Sequence, residues 1–300
     1  MAASDAAVSV NAPGLAPGDF WTYRTNTSLS GLSLDGRVTL TVTGHAPTVV
    51  EGTAYDAYAI SISGAGTAEG TFEADFGSTA AFGAWNLTGQ EWIEAHGLKV
   101  LSTVFDLEAE GKLRTQPVPL PFALRVQNTT SYRLSADVWR FPLRVNDSAV
   151  VSTQMNFSED FGLFFGLPTT PVHSAGLVWW NVTYALQPAV GVATPVGSFD
   201  SYPIRETFPD GSYTLYYYAP GAGYHARTET HTETSEIGST ELVAYRYQAL
   251  EPGRFLGLTT NQWGIVAVPI AIGITLFVWW WRRRRRRSRQ PMTASPPPPT

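Results

Sequence analysis

One short stretch of the chain alternates ionisable residues with uncharged ones, a pattern that can present metal ligands. The ionisable positions are His225, Arg227, Glu229, His231 and Glu233. In a β-strand alternate side chains share a face, so these five would stand about 7 Å apart along one face. A zinc ion needs three or four ligands at about 2 Å, and Arg227 in the same row opposes a cation. We therefore expect a solvated strand face with cross-strand charge pairs, no metal site and no cofactor.

Catalytic motifs are missing from the sequence. It has no G-x-S-x-G nucleophile elbow, no H-E-x-x-H zinc motif and no phosphate-binding P-loop. A catalytic triad can also be assembled from distant residues, but no spacing in this chain marks one. The sequence therefore predicts a protein that is not an enzyme and has no catalytic residues.

An apolar segment that ends at Pro168 is the strongest candidate for contact with an apolar ligand or a membrane surface. The alternative is that this segment forms a buried strand in the core of its domain. The candidate contact residues are Phe161, Leu163, Phe164, Phe165 and Leu167. The sequence leaves both interpretations open, and the exposure of these side chains distinguishes them.

Short alternating runs rich in β-branched and aromatic residues dominate the chain before its last 50 or so residues. Clear examples are Val38–Thr43, Tyr58–Ser63, Ser212–Tyr218 and Glu241–Tyr247. Gly, Pro, Asn and Asp, which favour turns, separate these runs. Helix signals are almost absent from this region. The pattern predicts a mainly β protein built from antiparallel sheets.

A weak internal repeat indicates two domains. Gly52–Ile60 and Gly197–Ile204 carry an aspartate, a tyrosine and an isoleucine at matching positions. Between them, the proline-rich stretch Pro117–Pro121 has the composition of a stiff, extended linker. We therefore expect two tandem antiparallel β-sheet modules, each half-barrel or sandwich-like, with the joint near residue 120.

An uncharged apolar stretch near the C-terminus predicts a transmembrane helix at Trp263–Trp281. As a helix, its 18 or so uncharged residues would span about 27 Å, close to the thickness of a bilayer core. A cluster of arginines follows at once and is typical of a cytoplasmic stop-transfer signal. These residues are Arg282, Arg283, Arg284, Arg285, Arg286, Arg287 and Arg289. The sequence thus predicts a single-pass protein of the cell membrane, with its N-terminal domain outside and its C-terminus in the cytoplasm.

The charge distribution argues against nucleic acid as a partner. The net charge is −5, but seven of the 20 basic residues follow Trp281 and no acidic residue does. The remainder of the chain therefore has 13 basic and 25 acidic residues, a net charge of −12. A domain with that charge repels phosphate backbones.

Asparagine and cysteine usage indicate an exported, glycosylated protein. Six of the eight asparagines stand in Asn-X-Ser/Thr sequons, the acceptor sites for N-linked glycans. The candidate glycosylation sites are Asn26, Asn86, Asn128, Asn146, Asn156 and Asn181. The chain has no cysteine, whereas secreted eukaryotic domains usually carry disulfides. This combination favours an archaeal cell envelope.

Three segments of the second half, taken together, resemble a known family. These segments are Phe141–Val145, Thr194–Tyr202 and Tyr216–Gly223. They are similar to the TapB/DUF3108-type envelope proteins. The similarity covers about Phe141–Thr228 and, more faintly, Pro17–Ser102 of the first half. The resemblance implies a mostly antiparallel β fold in the cell envelope and no catalytic residues.

The sequence as a whole predicts a non-catalytic, membrane-anchored envelope protein with a binding or scaffolding role. The alternative is a carrier of lipid or another apolar ligand, with an interior β groove. The expected partners are the lipid bilayer, through the transmembrane helix, and an envelope protein or a lipid ligand. The expected boundaries are 1–14 for a residual leader or disordered N-terminus, 15–120 and 121–250 for the two β modules, 251–262 for a juxtamembrane linker, 263–281 for the transmembrane helix and 282–300 for a basic, proline-rich cytoplasmic tail.

Overall fold

Alternation of apolar and polar residues extends over most strands of the protein, and each apolar set faces one common core. The computed structural model describes residues 9–10, 13–74, 77–95, 99–115, 118–133, 142–165 and 170–248. In the strand Phe20–Leu29, for example, every second side chain from Trp21 onward is buried. This period of two is what a strand with one solvated face requires.

Fifteen strands and one short 3-10 helix, Pro220–Ala222, make up the described structure. The strands are β1 Ser9–Val10, β2 Phe20–Leu29, β3 Leu32–Val50, β4 Thr53–Ala74, β5 Gly77–Glu94, β6 Val100–Leu113, β7 Leu120–Arg133, β8 Leu143–Arg144, β9 Ser148–Phe165, β10 Val172–Leu186, β11 Val190–Thr194, β12 Gly197–Thr207, β13 Tyr213–Ala219, β14 Tyr224–His231 and β15 Glu236–Arg246.

Twelve of these strands form one closed antiparallel barrel. Neighbours in the sheet follow the chain order from β2 to β15, leaving out only the two-residue strand β8 and the short β11. The barrel closes because β15 pairs with β2, from Gly238 opposite Thr27 to Arg246 opposite Phe20. The strands β1 and β8 pair with each other outside this sheet, and β11 pairs with the first half of β12.

The seam between β10 and β12 is the shortest ladder in the barrel. It joins Thr183–Leu186 to Ile204–Thr207 by four residue pairs. On its other side β10 pairs with β9 along its whole length, from Val172 to Ala185. The wall is therefore held least firmly at this seam.

One hydrophobic core fills the barrel and includes buried side chains from all twelve of its strands. Two long-range hydrogen bonds connect β2, the first strand of the barrel, to the 3-10 helix and to β14. The indole Nε1 of Trp21 donates to the Ala222 carbonyl at 2.8 Å, and the Tyr23 hydroxyl donates to the His225 carbonyl at 2.9 Å. Residues about 200 positions apart thus belong to a single core.

The expected fold of two tandem modules is therefore wrong. The proline-rich stretch near residue 120 lies between β6 and β7, where Leu113 pairs with Leu120 in the same sheet. The two repeated segments begin β4 and β12, and each starts with a turn glycine of positive φ, Gly52 or Gly197. The repeat therefore reflects a recurring hairpin start rather than a duplicated domain.

The predicted transmembrane helix and the single-pass membrane location are also corrected. No helix of the described residues is long and apolar enough to span a membrane. The stretch Trp263–Trp281 and the arginine cluster Arg282–Arg289, on which that prediction was based, lie outside the described residues.

Glycines inside β3 and β4 create room for the buried indole of Trp85. A Cβ at Gly66 would lie 2.0 Å from the Asp35 carbonyl oxygen and 2.6 Å from the Trp85 Nε1 atom. That indole nitrogen donates to the same carbonyl at 3.2 Å. The backbone can approach the ring this closely only where a strand residue has no side chain.

Replacing Gly66 with alanine is expected to lower the free energy of unfolding by about 3 kcal/mol, because the new methyl group collides with fixed backbone. Gly44→Ala is the matched control, since a Cβ at Gly44 meets nothing within 4 Å. It should change stability by less than about 0.5 kcal/mol. Urea unfolding of both variants measures the difference, and equal midpoints would contradict this account of the Trp85 packing.

Candidate binding site on the outer face

A groove of about 550 Å³ crosses the outer face of four neighbouring strands, β5, β6, β7 and β9. Hydroxyl, amide and carboxylate side chains dominate its lining. The lining residues are Thr88, Gly89, Gln90, Val104, Phe105, Asp106, Gln127, Asn128, Thr129, Ser158 and Asp160.

Strand register places the outward side chains of the groove in two parallel rows. In the first row Thr88 lies opposite Asp106, which lies opposite Gln127, which lies opposite Asp160. The second row is one step along the strands and contains Gln90, Val104, Thr129 and Ser158. Neighbouring strands are about 4.8 Å apart, so each row presents one side chain at that interval. Every side chain in the first row is polar, and every side chain in the second row except Val104 is polar.

Hydrogen bonds and ion pairs hold the charged members of the groove. The Asp106 Oδ2 atom accepts from Gln127 Nε2 at 2.9 Å and from Arg125 at 3.3 Å. Its Oδ1 atom has no protein partner. The hydrogen bond to Asp106 raises the pKa of Arg125, which also pairs with Glu108 at 2.7 Å. These contacts fix the Asp106 carboxylate through its Oδ2 atom, while its Oδ1 atom is buried.

The far end of the first row is a histidine–carboxylate pair. His173 on β10 lies opposite Asp160, and its Nδ1 atom is 2.8 Å from the Asp160 Oδ1 atom. The floor between the rows is bare backbone at Gly89, where a Cβ would lie 2.6 Å from the Val104 carbonyl oxygen. The groove therefore has a backbone floor in the middle and mostly polar side chains along both sides.

Inside the barrel, Glu206 is held by two tyrosines. The Tyr184 hydroxyl donates to its Oε1 atom at 2.6 Å, and the Tyr216 hydroxyl donates to its Oε2 atom at 2.7 Å. Burial raises the pKa of Glu206, and the two hydroxyl donors oppose part of that rise. No cation lies against this carboxyl group in the part of the chain that the structure describes.

A second interior carboxyl group, Glu91, is less well satisfied. The Thr103 hydroxyl donates to its Oε1 atom at 3.3 Å, whereas its Oε2 atom has no protein partner. Burial raises the pKa of Glu91 well above its usual value. The hydroxyls of Tyr132 and Tyr224 are near enough to interact electrostatically with Glu91, and neither has a protein hydrogen-bond partner. The barrel core thus includes a polar layer among its apolar side chains.

The alternating row His225–Glu233 does not share one face in the structure. His225 is buried, and the Arg227 Nε atom pairs with Glu229 Oε1 at 2.9 Å. The His231 Nε2 atom lies 3.3 Å from Glu229 Oε2. The third ionisable residue near Glu229 and His231 is Glu236, not Glu233. Glu236 lies at the start of β15, directly opposite His231 in the β14–β15 hairpin. Spacing within one strand could not reveal this cross-strand partner.

Five of the six sequon asparagines have exposed side chains, namely Asn26, Asn86, Asn146, Asn156 and Asn181. Asn128 is only 2% exposed and donates through Nδ2 to Glu159 at 3.3 Å. A glycan on this side chain would not fit in the folded protein. Glycosylation at the exposed asparagines stays a prediction.

The apolar segment near Pro168 lies at the end of β9. Phe161, Leu163 and Phe165 pack against the main core, and Phe165 contacts Phe72 with ring centroids 4.9 Å apart. Phe164 is half-buried and lies over Gly162, while Leu167 lies outside the described residues. These contacts favour the buried-strand interpretation over an exposed ligand or membrane contact.

Apart from Asn128, which is a candidate glycosylation site, the groove residues were missed in the sequence, although two more of them belong to sequons. Thr88 completes the sequon of Asn86, and Ser158 completes that of Asn156. Because residues two apart share a strand face, each exposed sequon in a strand also presents its hydroxyl outward. Mapping these hydroxyls onto the register would have indicated a polar outer face.

Comparison of the chain with protein-family models, with curated proteins and with solved structures finds no match. The resemblance to the TapB/DUF3108-type envelope proteins therefore stays a prediction.

Proposed function

We propose that the protein is a non-catalytic binding protein whose outer groove takes a small, hydroxyl-rich ligand such as a mono- or oligosaccharide. The observation that supports this proposal is the pair of polar rows that cross the groove. Seven of their eight side chains are hydroxyls, amides or carboxylates, and the eighth is Val104. Hydroxyls and amides can both donate to and accept from the hydroxyls of a sugar, and carboxylates can accept from them.

The size and rigidity of the groove suit this role. Its volume of about 550 Å³ falls within the range of about 300–1,000 Å³ that is common for small-molecule sites. All its lining residues lie on four paired strands rather than on loops. A site on rigid strands loses little conformational entropy when a ligand binds.

The contacts of the groove support binding rather than catalysis. The His173–Asp160 pair is the most enzyme-like arrangement there, because a histidine–carboxylate pair can activate a serine. Ser158 belongs to the second row, and no hydrogen bond joins it to His173 in the part of the chain that the structure describes. The imidazole therefore has no activated nucleophile among the described residues.

The runner-up role, a carrier of an apolar ligand inside the barrel, has less support. Packed side chains from every barrel strand fill the interior. Several buried polar atoms inside the barrel, including Glu91 Oε2 and the Tyr132 hydroxyl, have no hydrogen-bond partner in the protein. A lipid tail could not satisfy them.

Calorimetric titration with a panel of soluble mono- and oligosaccharides tests the proposed function. We expect at least one sugar to bind and Gln127→Ala to weaken that binding at least tenfold, because this amide stands between the two carboxylates. Asp106→Asn should weaken it similarly. Asp35→Asn is the matched control, since Asp35 pairs with Arg24 on the outer face away from the groove. Absence of binding to every sugar, or equal binding by all four proteins, would refute the proposal.

A further inference from the structure

We propose that Glu229, His231 and Glu236 form a binding site for one divalent transition-metal ion of the zinc type. The site lies on the hairpin between β14 and β15. It does not depend on the proposed role of the groove, whose strands are β5, β6, β7 and β9.

The distances between the candidate ligand atoms suit a common ion. One ligand atom from each of the three residues lies within 4.8 Å of the other two. His231 Nε2 and Glu229 Oε2 are 3.3 Å apart. Two ligands held at about 2.0–2.1 Å in a tetrahedral site are themselves separated by about 3.3 Å. Two of the ligands thus already have the spacing that zinc requires, and Glu236 closes on them by a side-chain movement.

Strand pairing brings the third ligand to the site. A register shift between Thr230 and His231 places His231 opposite Glu236. The intervening turn is closed by the Thr232 amide, which donates to the Ser235 carbonyl at 2.8 Å. Glu229 stands two residues before His231 on the same strand and therefore shares its face.

Neighbouring side chains hold the two inner ligands in place. Arg227 pairs with the Oε1 atom of Glu229, whereas the Oε2 atom lies near His231 and also accepts from the Tyr217 hydroxyl at 3.3 Å. The Tyr213 ring stacks on the His231 imidazole with centroids 4.6 Å apart and planes 10° apart. The side chains of Glu229 and His231 are only 13% and 18% exposed. Partners of this kind orient the ligands in known metal sites.

The local charge favours a cation and also limits its affinity. Glu229 and Glu236 contribute two negative charges, and Arg227 compensates one of them. A histidine with two carboxylates is a donor set suited to zinc and similar ions. Because three protein ligands leave a coordination position to water, and Arg227 remains close, we expect micromolar affinity.

Two other histidine–carboxylate pairs provide internal controls. His45 Nε2 lies 2.9 Å from Asp56, and His173 Nδ1 lies 2.8 Å from Asp160. Across the described ranges, only the pair Glu229–His231 gains a third ligand. If two-residue pairs were sufficient, all three sites would bind metal alike.

The test uses the full chain after treatment with EDTA, titrated with ZnCl₂ by calorimetry and with CoCl₂ by visible absorption. We expect one zinc per chain and a cobalt d–d band of a bound site. His231→Ala and Glu236→Gln should each weaken binding at least tenfold, whereas His173→Ala should leave it unchanged. Glu236 is exposed, so its substitution separates loss of metal binding from loss of folding, which circular dichroism checks. Absence of near-stoichiometric binding, or equal binding by wild type and Glu236→Gln, would overturn the proposal.

Discussion

Replacing Trp21 with alanine is expected to lower the free energy of unfolding by about 4 kcal/mol. Trp21 is fully buried, packs on the Tyr224 ring at 4.8 Å between centroids, and donates to the Ala222 carbonyl. The variant loses the buried indole, leaves a cavity and leaves that carbonyl without its donor. All three losses occur where β2 packs against the 3-10 helix and β14.

Trp179→Ala provides the matched control, because Trp179 is 59% exposed on the outer face of β10. Its removal should change stability by less than about 1 kcal/mol. Guanidinium unfolding followed by circular dichroism, which does not rely on tryptophan emission, gives both values. A Trp21→Ala variant as stable as Trp179→Ala would show that β2 and the region around Ala222 and Tyr224 do not share one core.

The stability of the protein is expected to fall as pH rises above about 4.5, and Glu91→Gln is expected to remove part of that fall. Burial raises the pKa of Glu91 well above the 4.5 that is usual for a glutamate side chain. The folded state therefore binds this proton more tightly than the unfolded state does. The resulting stability is fully present below the unfolded pKa and is lost as pH rises through the folded pKa.

Glutamine resembles protonated glutamate in shape and cannot ionise, so the variant avoids the cost of a buried charge. Glu91→Gln should be clearly more stable than wild type at pH 8, and the two should converge near pH 4. Thermal melts at several pH values measure this difference. Glu69→Gln, at an exposed position of β4, should keep the wild-type pH dependence. Parallel curves for wild type and Glu91→Gln would contradict the raised pKa.

The strands themselves could be predicted from the sequence, because their signal is local. Val38–Thr43 and Ser212–Tyr218, which were expected to be extended, lie in or overlap β3 and β13. Alternation reports which side chains face a core, and turn residues mark where strands end. Neither signal reports how many sheets the strands form.

Closure of the barrel could not be predicted, because it depends on pairing between β2 and β15 at opposite ends of the described chain. The similarity of Gly52–Ile60 to Gly197–Ile204 suggested two domains, although both segments only mark the start of a long strand after a tight turn. Local similarity of this kind cannot distinguish a repeated hairpin from a repeated fold.

The candidate sites depend on register between strands that are distant in sequence. The groove places Thr88 and Asp160 in one row through two intermediate strands. Glu236 reaches His231 only because the β14–β15 ladder shifts by one residue. A one-residue error in register moves a side chain to the opposite face, so alternation alone could not identify these partners.

Pairing of the first barrel strand with the last has a consequence for synthesis on the ribosome. The Ala222 carbonyl, which accepts the hydrogen bond from the Trp21 indole, is synthesised 201 residues after Trp21. At about 5–20 residues per second, this delay is about 10–40 s. During that time the nascent chain carries long amphipathic hairpins whose outermost strand has no neighbour, and such edges recruit other chains. We therefore expect the yield of folded protein to depend on translation speed and on whether chaperones shield those edges.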